Sequence, residues 1–124
     1  MRSHRRTRRL VVGDVTWLWT VRHRHPDCRE VLSLRQEGVP VKVRVVFRPG
    51  PGRCVSDGWF IPSGSVADDR TTLNLHRPGA VRGLVDLLAV RGLLPVSPGE
   101  TEVDGWPLLD ALGDADGGGG LTPR

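Results

Sequence analysis

Two hydrophobic rhythms divide the 124-residue chain. Up to about residue 76 the apolar positions recur with period two, and from residue 77 onward they recur at helical spacing. In residues 14–22, Val15, Trp17, Trp19 and Val21 share one face, while Asp14, Thr16, Thr20 and Arg22 share the other and Leu18 is the exception. That alternation predicts a half-buried strand, and His23 and His25 continue its tryptophan face. Pro26 and Asp27 make a turn, after which Leu32 and Leu34 are in phase within residues 30–36. Residues 41–48 give the clearest strand, with Val41, Val43, Val45 and Phe47 inward and Lys42, Arg44 and Arg48 outward. Pro-Gly-Pro-Gly at 49–52 stops it in a turn. Further strands are predicted around 55–61 and 71–76.

The period then changes. Val81, Leu84, Val85 and Leu88 fall on one helical stripe, Pro78 suits a first helical turn, and Gly92 followed by Pro95 ends the helix. Residues 95–105 read as a loop, and 105–112 as a short apolar helical turn that docks Trp106. The expected fold is α+β: an antiparallel meander sheet of about five strands, one main helix over about 78–91 on one face, and a short C-terminal helical turn. The expected core comprises Val15, Trp17, Trp19, Val21, Leu32, Leu34, Val43, Val45, Phe47, Leu73, Leu75, Val81, Leu84, Val85 and Leu88. Residues 1–9, with five arginines, read as a disordered basic arm, 10–112 as a single domain, and 113–124 as a flexible glycine-rich tail.

Charge adds what periodicity does not contain. Residues 1–54 hold 13 basic and 4 acidic groups and residues 55–124 hold 5 and 10, so a net +4 conceals a basic half and an acidic half. Either the basic half serves an acidic partner, or the acidic segment folds back on it. If Val43 and its neighbours face the helix, the opposite sheet face gathers Arg22, Arg24, Arg35, Lys42, Arg44 and Arg48. Nucleic acid is one candidate ligand for that face and the arm. However, tyrosine is absent, and the tryptophans and phenylalanines are mostly assigned to the core, which leaves no stacking platform. The acidic alternative assigns Glu100, Glu102, Asp104, Asp110, Asp114 and Asp116 to partial neutralisation of the face.

Other chemistry is sparse. His23, His25 and Cys28 cluster at the end of a strand, and Cys54 would join them as metal ligands only through tertiary pairing. Their spacing matches no zinc pattern, and the ordinary alternative is a pair of hydrogen-bonded histidines at the rim of the core. His76 and Arg77 stand before the helix, where an anion could meet free N–H groups, although Pro78 removes one of them. Ser63 and Ser65 lack a nucleophile elbow, no carboxylate is identified to orient the histidines, and Asp68 and Asp69 read as solvated. No cofactor is expected. Two cysteines, neither in a C-x-x-C pair, suit a reducing compartment. Residues 7–13 superficially resemble a twin-arginine export signal, but Asp14 breaks the apolar run and no cleavage site follows, so a cytoplasmic location is expected. No run approaches the length of a membrane span.

The landmarks W-x-W-x-V-x-H at 17–23, VVFRPGPGR at 45–53, LNLHRPG at 73–79 and EVDGWPLL at 102–109 resemble a group of small uncharacterised actinomycete proteins. The second half also resembles bacterial proteins in which a T-P-x-x-V-x-x-L-I-x-x-A helix precedes a G-W-x-P turn, with Leu93 and Leu94 where that pattern has Trp. Neither resemblance implies an activity or a site residue. The leading expectation is a non-enzymatic accessory or regulatory module that binds an unidentified protein partner. Sequence-independent nucleic-acid binding is the second expectation, and a small metal-dependent or thiol enzyme the third.

Overall fold

The period-two segments become a sheet whose first four strands follow one another in space. The computed structural model describes residues 7–24, 27–55, 64–95 and 97–120. Strands β1 (Arg8–Val12), β2 (Val15–Arg24), β3 (Arg29–Gln36) and β4 (Val41–Phe47) form an antiparallel meander. A separate small antiparallel sheet follows, made of β5 (Arg53–Val55), β6 (Ser65–Asp68) and β7 (Thr72–Asn74). Helix α1 (Pro78–Val90) comes next, then β8 (Gly99–Asp104) and α2 (Trp106–Gly120).

Strand β8 corrects both the loop assigned to 95–105 and the purely antiparallel sheet. It pairs in parallel with β4, which makes the large sheet mixed, in the order β1-β2-β3-β4-β8. Its alternation is written in charges, with Val103 its only partly buried position. What holds it is register: Glu100 lies opposite Lys42 and Glu102 opposite Arg44, and cross-strand opposite charges contribute about 0.2–1 kcal/mol each. The strands expected at 55–61 and 71–76 belong to the second sheet, as the shorter β5 and β7. Residues 56–61 lie outside the described residues, and β6 occupies a segment for which the apolar pattern predicts no strand.

The register puts Trp17, Trp19, Leu32, Leu34, Val43, Val45 and Phe47 on one face. That face packs with Val81, Leu84, Val85 and Leu88 of α1, with Val55, Val66 and Leu75 from the second sheet and its exit, and with Trp106, Leu108 and Leu109 of α2. Val15, Val21 and Leu73 are half-buried against this core rather than inside it. Both sheets and both helices thus share one apolar interior.

Helix α1 starts at Pro78 after extended Arg77, and no side chain caps it. It ends in a Schellman motif: Gly92, at φ +68°, donates to the Ala89 carbonyl and Leu93 donates to that of Leu88. Helix α2 is longer than the predicted turn and runs past Leu112 to Gly120. Its start is tied to β4 and to the residue after it at three points. Gly105 N–H donates to the Val46 carbonyl at 2.8 Å, the Trp106 indole N–H donates to that of Arg48 at 2.8 Å, and the Trp106 and Phe47 rings meet edge to face at 5.2 Å. Gly105 has no substitute here, because a Cβ would overlap the Phe47 ring.

Two arginines assigned to the arm are strand residues. Arg8 lies over the Trp19 ring at 4.8 Å and donates to the His76 carbonyl at 2.6 Å, whereas Arg9 pairs with Glu37 at 2.6 Å. They fasten the sheet edge to the core and to the β3 turn.

Candidate functional site

Because the side-chain period of a strand is two, the register that buries the tryptophans sends the cations to the other side. On that outer face the cross-strand rows are regular. One row runs Leu18, Arg35, Lys42, Glu100, and the next runs Thr20, Ser33, Arg44, Glu102. Arg22 and Arg24 stand beyond Thr20 on β2. Arg22, Arg24, Arg35, Lys42 and Arg44 surround a polar depression of about 430 Å³, whose remaining lining is Thr7, Leu18, Thr20 and Ser33. Five of the six cations predicted for a basic face therefore converge. Arg48 sits at the sheet end and pairs with Glu102 at 3.1 Å instead.

Strand β8 neutralises part of this surface. Glu100 is 3.5 Å from both Lys42 and Arg44, and Glu102 is 3.8 Å from Arg44. The other acids expected to help are engaged elsewhere. Asp104 accepts from the Trp106 N–H at the start of α2, and Asp110 pairs with Asp68. Asp114 and Asp116 lie where side chains are outside the description. Arg24 and Arg35 form no ion pair among the described residues. The Arg44 Nε–H is buried without an acceptor, although such donors are nearly always paired.

The histidine and cysteine cluster resolves differently. His23 stands directly across from Glu30, and its Nδ1–H donates to Glu30 Oε1 at 2.7 Å. Glu30 is 1% exposed, on the core face beside Phe47. A carboxylate there does orient a histidine, a partner that sequence reasoning missed. Its signal was phase: Glu30, Leu32 and Leu34 share one period-two face. Cys28 occupies the hairpin turn at φ +56° and packs half-buried on the core. Cys54 lies exposed in the other sheet. His25 falls outside the described residues, and among those described no three His, Cys, Asp or Glu side chains are placed to hold a metal ion.

At the α1 entry, the His76 N–H donates to Asn74 Oδ1 at 2.9 Å, and its imidazole lies against Gly64. Arg77 lines a separate cleft of about 480 Å³ with Thr71, Asn74, Ala80 and Leu112. The two residues thus face different surroundings instead of joining in one anion site. A third cleft, of about 460 Å³, contains Arg53, Asp68, Asp69, Arg70 and Asp110. There Asp68 is held below the usual carboxylate range, first by the backbone N–H of Arg70 and then, against some desolvation, by that of Thr71. Asp110 is raised, chiefly because its carboxyl shares a hydrogen bond with Asp68. Asp68, at the end of β6, thus accepts from the two backbone N–H groups that turn the chain after it.

No family model matches the chain, and neither do the curated proteins or the solved structures.

Proposed function

We propose that this protein is a non-enzymatic accessory module that docks an acidic segment of a protein partner on the outer face of its large sheet. The observation carrying this reading is the convergence of Arg22, Arg24, Arg35, Lys42 and Arg44 around one polar depression on the face opposite the core. Electrostatic complementarity of this kind steers association and sets register more than it adds raw affinity. A protein partner is favoured over nucleic acid because the described aromatics, Trp17, Trp19, Phe47 and Trp106, all lie in the core, so no base can stack on them. A cytoplasmic setting accords with two free thiols at Cys28 and Cys54, and no described helix is long and apolar enough to cross a membrane.

The test is fluorescence anisotropy of a labelled oligoglutamate peptide and a labelled oligothymidylate, titrated with the full chain at low and high salt. The expected result is peptide binding that is lost in Arg24→Glu/Arg35→Glu. Failure of both probes to bind at low salt would overturn the reading, and preferential binding of the oligonucleotide would replace the partner class.

A further inference from the structure

The floor of the basic depression is as informative as its rim. Thr20 and Ser33 are cross-strand neighbours, so their Cβ atoms stand about 5 Å apart, and positions two further along either strand lie roughly 7 Å away. Neither hydroxyl has a hydrogen-bond partner among the described residues. Guanidiniums rise around this floor: Arg24 from β2, Arg35 from β3 and Arg44 from β4. Donors therefore approach one small volume from below and from several sides.

A carboxylate is planar and offers two oxygens, which one guanidinium fork satisfies. A tetrahedral phosphoryl group offers three terminal oxygens and about −1.5 to −2 charge at neutral pH, so it uses donors from several directions at once. The hydroxyl floor contributes donors that a surface built only to attract carboxylates does not need.

We infer that the basin floored by Thr20 and Ser33 recognises a phosphorylated side chain of the protein partner, gripped by Arg24, Arg35 and Arg44. This rests on the reading of the outer sheet face as a protein-docking surface. Glu100 pairs with Lys42 and Arg44, and Glu102 with Arg44, so the β8 side of the basin already carries its own anions. The site is thereby matched to one dianionic group.

Three labelled peptides of one Gly/Ala-rich sequence, carrying phosphoserine, Glu or Ser at a single central position, test this against the full chain by anisotropy. The phosphoserine peptide should bind about tenfold more tightly than the Glu peptide, as one or two additional charged hydrogen bonds would give. Inorganic phosphate should compete with it. In Thr20→Val/Ser33→Ala, checked for native tryptophan emission, the preference should fall below about threefold while Glu-peptide affinity is retained. Arg35 is exposed, so Arg35→Ala should fold normally and weaken phosphopeptide binding roughly tenfold. Equal affinity for the phosphoserine and Glu peptides would overturn the phosphoryl assignment and leave the docking surface standing. Binding of neither would overturn both. Tighter binding of oligothymidylate than of the phosphopeptide, also lost in Arg35→Ala, would overturn it in favour of a nucleic-acid backbone.

Discussion

A carboxylate that is 1% exposed needs a partner, and Glu30 has one in His23. Removing one member of such a pair leaves the other desolvated without compensation. His23→Leu should therefore cost about 1–3 kcal/mol, read from urea unfolding. A double-mutant cycle with Glu30→Gln should show a coupling above roughly 1 kcal/mol, and simple additivity would show that the pair contributes nothing. The Asp68–Asp110 acid pair predicts a pH effect. Asp110 titrates above its ordinary range, so its protonated form is favoured by folding, and that contribution is lost as pH rises through the raised value. Asp68 has the opposite sign: its contribution is present above the ordinary carboxylate range and lost as pH falls through the lowered value. Asp110→Asn removes the repulsion between two ionised groups. The variant should melt like the wild type at acid pH and at a higher temperature at pH 7; equal melting temperatures across this range would refute the shared proton. The outward cations were legible because period two decides both faces of a strand at once. The His23–Glu30 pair was not, because the hairpin turn between them sets the cross-strand register and its length is not written in the apolar pattern.

At the level of elements, apolar rhythm carried the reading wherever burial is large. Strands β2, β3 and β4 and helix α1 were legible from Trp17, Trp19, Leu32, Leu34, Val43, Val45 and the Val81–Leu88 stripe, all of which are buried. The purely antiparallel meander failed at β8, whose period-two signal is carried by Glu100 and Glu102 and depends on Lys42 and Arg44 across the ladder. Strand β6 was hidden for a related reason: Ser65, Val66, Ala67 and Asp68 have weak alternation, and pairing on both sides organises them. The charge-written strand gives its own prediction. Glu100→Gln/Glu102→Gln should destabilise by only about 0.5–2 kcal/mol, since these pairs are half-exposed and share acceptors. The loss should shrink in about 0.5 M salt as screening removes the same attraction from the wild type. A loss independent of salt would show that backbone pairing alone holds β8.

Taken as a whole, the molecule resolves its charge division in two ways at once. Part of the acidic half returns as β8 to face the basic half, and part is occupied in capping and turn contacts at Asp68, Asp104 and Asp110. A positive surface remains around Arg24 and Arg35. The shared interior has a thermodynamic consequence. Val55, Val66 and Leu75 lie in the same core cluster as Trp17, Trp19 and Trp106, so among the described residues the second sheet has no separate core. Tryptophan emission and far-ultraviolet circular dichroism should therefore report one coincident unfolding transition. Separated midpoints would show that the small sheet unfolds independently.

The parallel pairing of β4 with β8 also governs how the chain survives its own synthesis. Val41 meets Gly99 only after the second sheet and α1 have been made. Until then β4, apolar at Val41, Val43, Val45, Val46 and Phe47, presents an open ladder of backbone donors and acceptors. Such an edge invites the same strand of another chain. Chains ended at residue 98 should accumulate as aggregates, whereas a soluble monomer from this truncation would show that the edge needs no cover. The strand that tempers the positive face thus doubles as a guard against self-association.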